Sequence, residues 1–166
     1  MTEDYIPDRV RDLYSLGWRS NKDFESLKEY LKPFVERSYI PALIELARVA
    51  MAEGNQSESE ALVTRAQGVL ADDDFDNSVE IWGAYRQGLG EGTQAEKDSK
   101  ALALILRLAE RGNVAAQEVV MMDYLLGTNG VARNAAEFER WAMLAASNGS
   151  QAAAAELRAF RTSVSR

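Results

Sequence analysis

The sequence predicts an all-α fold built from successive antiparallel helical hairpins. Apolar residues recur at intervals of three and four, while the alternation typical of strands is nearly absent. The clearest apolar stripe lies in residues 101–109 and is followed by Gly112-Asn113, a signal for the end of a helix. Glycines also recur at spacings of 34 and 39 residues, measured from Gly54 to Gly88 and on to Gly127. Such a period indicates a repeat architecture.

The helices are expected in pairs joined by short turns. The predicted spans are 7–16 and 22–37, 40–53 and 57–70, 77–88 and 95–111, 114–126 and 135–148, and a last helix over about 151–161. Pro7 and Pro41 suit the first turn of a helix, because a residue there needs no backbone N–H. Pro33 predicts a kink or a break near the end of the second helix.

The recurring glycines divide these helices into equivalent units. Gly54, Gly88 and Gly127 end the first helix of a pair, while Gly112 and Gly149, which are 37 residues apart, end second helices. A single hairpin cannot bury its own apolar face, whereas stacked hairpins can. The pattern therefore predicts an array of stacked hairpins.

The best-preserved unit has a recognisable order of residues, namely Ala116, Val120, Tyr124, Gly127, Gly130, Val131, Ala136, Trp141, Ala145, Ala146 and Gly149. The preceding unit repeats it with Ile81, Tyr85, Gly88, Gly90, Leu104, Leu108, Ala109 and Gly112. This order resembles the Sel-one-like repeat family, a relative of tetratricopeptide repeats. The resemblance implies a right-handed α-solenoid of about three to four helical hairpins plus a C-terminal capping helix. It places three aromatic side chains in the core: Tyr85, Tyr124 and Trp141.

The resemblance also implies a domain organisation. We expect one continuous solenoid, with residues 1–38 as an N-terminal hairpin that caps it and residues 39–166 as the repeats. Two departures from the family pattern stand out. Trp82 and Met121 occupy a position where the family usually has glycine, and the Gly127–Gly130 turn is one residue longer than usual. A large side chain at these positions either loosens the helix packing or points toward a partner.

Composition excludes several classes of function. The chain has no Cys and no His, so a Cys nucleophile, a Ser-His-Asp triad and zinc bound by thiolate or imidazole are excluded. Its 26 acidic and 19 basic residues give a net charge of −7, which disfavours nucleic acid and anionic membranes as partners. Residues 39–98 alone hold 12 acidic and 4 basic residues, which favours a basic partner. The polar N-terminus predicts a cytoplasmic protein.

Motifs for metals, phosphates and catalysis are weak. Asp72, Asp74 and Asp76 have calcium-loop spacing, but Asn77 and Gly83 stand where the loop needs Gly and Glu. The glycine-rich segment 88–92 follows a helix and lacks the lysine of a P-loop. We therefore expect no metal, no cofactor and no enzymatic activity.

These observations predict a protein–protein interaction scaffold that binds a partner protein on its concave face. The more specific hypothesis is an immunity-type protein that neutralises a basic toxin or effector domain. The alternatives are a regulatory adaptor, a structural module of a larger assembly, and an enzyme based on carboxylates. The residues expected to contact the partner are Glu45, Arg48, Trp82, Arg86, Glu118, Met122, Asp72, Asp73 and Asp74.

Overall fold

The computed structural model describes residues 21–165, and the helix predicted over 7–16 therefore lies outside the described residues. Within them the chain forms eight α-helices and no strand. In chain order, α1 to α8 are Asn21–Glu36, Ile40–Ala52, Gln56–Val69, Phe75–Arg86, Gln94–Glu110, Val114–Leu126, Ala135–Ser147 and Gln151–Val164. The predicted all-α fold of consecutive helical hairpins is confirmed.

Short polar side chains begin most of these helices. The residue before the helix accepts a hydrogen bond from the backbone N–H three positions later, which satisfies a donor that has no partner within the helix. This arrangement occurs before α3 to α8, at Asn55, Asp74, Thr93, Asn113, Asn134 and Ser150. At α5 the cap is reciprocal, because the Glu96 carboxylate also accepts from the Thr93 backbone N–H. The caps explain why the helix starts are predictable from local sequence.

Pro41 lies at the start of a helix, whereas Pro33 lies near the end of one. Pro41 lies in the first turn of α2, as the sequence predicts. Pro33 lies inside α1, which continues to Glu36. The proline therefore occupies the last turn, and the helix does not break at it.

The described residues form two compact units. The first contains α1 to α3 and the segment Leu89–Glu91. In it α2 packs against both α1 and α3. Its α1–α2 core consists of Leu27, Leu31, Phe34, Ala42 and Val49.

The second unit contains α4 to α8, that is, Ala71–Gly88 and the residues from Gly92 onward. Within this unit the packed pairs are consecutive helices: α4 with α5, α5 with α6, α6 with α7, and α7 with α8. The core of this unit is a cluster of buried residues: Ile105, Leu108, Ala109, Ala116, Val120, Met121, Phe138, Trp141, Ala142, Ala145, Ala153 and Leu157. Packing between sequence neighbours is the contact pattern of a repeat array.

Candidate protein-binding surface

The first group of predicted contact residues lies on α4 and α6 of the second unit. Trp82 and Arg86 are four residues apart on α4, and Glu118 and Met122 are four residues apart on α6, so each pair shares a helix face. We call these four residues the α4–α6 surface. Trp82 and Met122 are half-buried, and both pack against the core cluster of this unit. Their exposed portions are therefore apolar patches on a rigid support.

Trp82 and Met121, the two residues at the position where the family usually has glycine, differ in their burial. Met121 is only 2% exposed and belongs to the core, whereas its neighbour Met122 is half-buried. Trp82 is half-buried as well, and its indole Nε1 is enclosed without a hydrogen-bond partner among the described residues. Of the three side chains, Trp82 and Met122 keep part of their surface exposed and Met121 does not.

Arg86 is held in a polar network at the ends of three helices. Its guanidinium lies 2.7 Å from Asp98 Oδ1 on α5, which also accepts a hydrogen bond of 2.8 Å from Gln94. The side chain of Arg86 is 31% exposed, so the ion pair leaves part of the guanidinium accessible. The positive charge of Arg86 also acts on Asp123 of α6.

Asp123 is a buried titratable residue that is absent from the candidates predicted from the sequence. Its carboxylate is buried at the end of α6, where it accepts hydrogen bonds from the Thr128 hydroxyl and the Asn129 amide. Burial raises the pKa of Asp123 above its ordinary value, although these hydrogen bonds and Arg86 act in the opposite direction. Its location within an otherwise apolar stretch, followed by Thr128 and Asn129, is the signal that could have identified it.

Glu118 is also engaged within the second unit. Its Oε1 accepts a hydrogen bond from the hydroxyl of Ser150, which at the same time caps α8. The neighbouring Gln117 is fully buried and bonds to the Ala109 carbonyl and to the Asn148 amide. Glu118 is therefore a fixed charge beside Met122.

The predicted residues of the first unit, Glu45 and Arg48, form an ion pair across one turn of α2. Their side chains are only 15% and 24% exposed. A partner that used either charge would have to share it with the other member of the pair.

The acidic segment 72–74 has mainly structural contacts. Asp72 lies 2.9 Å from Arg107 and 3.6 Å from Arg111, so two cations of α5 and its C-terminal cap neutralise it. Asp74 caps α4 by accepting from the Asn77 backbone N–H at 3.0 Å. Asp73 is exposed. A role of this segment in binding a basic partner stays a prediction, and it depends chiefly on Asp73.

Two further properties of the described residues bear on function. Among residues 21–165, no group of three or more acidic side chains is arranged to hold a metal ion. None of the helices in the same range is both long enough and apolar enough to span a membrane.

The chain has a structural likeness to a known protein. No protein-family model matches the chain, and no curated protein matches it. The chain is similar to a protective antigen present in uropathogenic Escherichia coli strains, whose crystal structure is described as displaying an SLR fold. The two share 21% identity with a TM-score of 0.49, and the match covers 91% of this chain and 33% of that one. This chain thus spans about a third of the length of that structure.

Proposed function

We propose that this protein is a non-catalytic scaffold that binds a partner protein through the α4–α6 surface. The observation that carries the proposal is the position of Trp82 and Met122, which pack on the core and keep part of their apolar surface exposed. Tryptophan and methionine are enriched at protein interfaces, and side chains supported by a packed core lose little entropy on binding. Arg86 and Glu118 supply charges of both signs beside these two anchors.

The more specific proposal is an immunity-type role, in which a cytoplasmic scaffold neutralises a toxin or effector domain. The net charge of −7 supports a basic partner, because opposite charges accelerate association and disfavour wrong partners. The absence of Cys and His from the sequence favours recognition over catalysis. A regulatory adaptor remains the alternative within the same scaffold function.

The test begins with proteins encoded beside this chain in its genome. Each is purified and titrated against the full chain, and the immunity proposal requires one toxin domain to bind tightly and lose its toxicity. If every neighbour binds weakly or not at all, the immunity proposal fails.

The surface is then tested with two matched variants and the bound partner. Met122→Glu places a charge on the α4–α6 surface, while Met143→Glu makes the same change on α7, where Met143 is 54% exposed. We expect Met122→Glu to weaken the complex by at least about tenfold and Met143→Glu to leave it nearly unchanged. Trp82→Phe, which keeps most of the packing, should also weaken the complex. Equal effects of the two glutamate variants would show that the partner binds elsewhere.

A further inference from the structure

The first unit contains an open groove that is lined by α1, α2 and α3. Lys28 of α1 lies 2.7 Å from Glu53, which follows α2. Farther along, Arg65 of α3 donates hydrogen bonds of 2.7 Å to the Val35 carbonyl and 2.8 Å to the Ser38 hydroxyl. The first link joins α1 to the turn that leads into α3, and the second joins the end of α1 and the turn after it to α3, so the two helices run in the same direction.

The space between these links is a preformed groove of about 490 Å³. The substantial contacts of α1 and α3 are with α2, which lies between them in the chain. Residues of all three helices line the groove: Glu25, Lys28, Glu29, Lys32, Val35, Glu36, Leu46 and Glu58. Its volume falls within the range of about 300–1,000 Å³ typical of ligand sites.

The floor of the groove is apolar. Val35 and Leu46 are half-buried, and both pack against the core of the first unit. An apolar side chain placed over them would extend this core and remove both from water. The floor therefore suits an occupant with aliphatic or aromatic side chains.

The rim of the groove is acidic. The lining contains four glutamates and two lysines, which gives a net charge of −2. Lys28 is already paired, since Glu25 lies 3.0 Å from it and Glu53 2.7 Å, and hydrogen bonds with Glu53 and Glu25 raise its pKa. By contrast, the carboxylates of Glu29 and Glu36 have no hydrogen bond or ion pair within the described residues, and both side chains are exposed. These carboxylates can accept new cationic partners without breaking an existing bond.

We infer that this groove docks a basic, partly apolar segment of a partner protein. Lysine or arginine side chains of that segment would pair with Glu29 and Glu36, while an aliphatic side chain would cover Val35 and Leu46. Nucleic acid is disfavoured, because its phosphates would face the acidic rim. The inference does not depend on the α4–α6 surface, since the groove lies in the first unit and its binding is measured separately.

The experiment titrates the full chain with a short peptide in which lysines alternate with single leucines. Three further probes serve as controls: the peptide with serine in place of leucine, the peptide with glutamate in place of lysine, and spermidine. We expect the lysine–leucine peptide to bind at least about tenfold more tightly than each control, and less tightly as salt is raised. Equal binding of spermidine or of the serine peptide would overturn the inference, because the apolar floor would then contribute nothing.

Charge-reversal variants locate the binding. Glu29→Lys and Glu36→Lys alter the rim, and Glu110→Lys makes the same change at an exposed position of α5 in the second unit. Each rim variant should weaken peptide binding by about three- to tenfold, while Glu110→Lys should have little effect. Circular dichroism confirms that each variant is folded. An equal loss of binding with Glu110→Lys would mean that only net charge attracts the peptide. If sedimentation showed a dimer that Glu29→Lys disrupts, the groove would bind a second copy of this chain. Either result would overturn the inference.

Discussion

The side-chain amide of Gln117 donates a hydrogen bond of 3.0 Å to the backbone carbonyl of Ala109. Gln117 is fully buried near the start of α6, and Ala109 lies in the last turn of α5. The oxygen of the same amide accepts from Asn148, which follows α7. One buried side chain thus connects three consecutive helices of the second unit.

Replacing Gln117 by leucine should therefore destabilise the protein. The Gln117→Leu variant loses the hydrogen bonds to the Ala109 carbonyl and from the Asn148 amide, and two such bonds together contribute about 1–3 kcal/mol. Urea denaturation followed by circular dichroism measures the loss. Gln151→Leu, at an exposed position on α8, is the matched control and should change the free energy of unfolding by less than about 0.5 kcal/mol. Equal stability of the two variants would contradict the structural role of the buried amide.

A side chain at Gly130, in the turn after α6, should destabilise the protein. This residue has φ +82°, and a Cβ there would lie 3.1 Å from Asp98 Cβ. We expect Gly130→Ala to lower the free energy of unfolding by about 1–2 kcal/mol, because alanine is strained in the left-handed region. Gly83→Ala is the control, since Gly83 lies inside α4 with open space around it. It should stabilise the protein by about 0.5–1 kcal/mol, so the two alanine variants should differ in sign.

The buried Asp123 should make stability depend on pH. Because its pKa is raised in the folded protein, the stability that it contributes is present below the pKa of the unfolded chain and is lost as pH rises through the folded pKa. Asp123→Asn removes this titration and keeps an oxygen that can accept from Thr128 and Asn129. The stability of the variant relative to the wild type should therefore increase as pH rises through that window. Denaturation curves across mildly acidic pH test this, and a difference that is constant with pH would contradict it.

Two aromatic truncations should differ in cost. Phe138 is fully buried, and its ring centroid lies 5.0 Å from that of Phe160. Phe138→Ala should therefore lower the free energy of unfolding by about 3–5 kcal/mol. The sequence also placed Tyr124 in the core, but its side chain is half-buried. Tyr124→Ala should consequently cost clearly less than Phe138→Ala. If urea denaturation shows that Tyr124→Ala lowers the free energy of unfolding as much as Phe138→Ala does, this prediction is wrong and Tyr124 contributes as a core residue.

The sequence predicts the helices well because their ends depend on local chemistry. The eight described helices begin within two residues of their expected positions and, except for α8, end within two, because caps such as Asp74 and glycines such as Gly127 act on adjacent backbone groups. The last helix extends to Val164, beyond the predicted end near residue 161. No glycine or proline in that segment marks its end.

The candidate surface was less predictable, because it depends on residues distant in the chain. The ion pair between Asp72 and Arg107 joins positions 35 residues apart, so the acidic run alone could not reveal its neutralisation. For the adjacent residues Met121 and Met122, the sequence also left open which side chain is buried. The helix α6 is apolar around much of its circumference, so spacing alone cannot say which methionine the neighbouring helices cover.

Packing between sequence neighbours also determines how the second unit can come apart. In the described residues α8 packs chiefly against α7, whereas α7 packs against both α6 and α8. Amide hydrogens of α8 should therefore exchange with deuterium before those of α6 and α7, as one end of the unit peels away while the rest stays folded. A one-dimensional array thus loses order stepwise from its ends, so its middle helices, which carry the proposed contact residue Met122, should be the most protected.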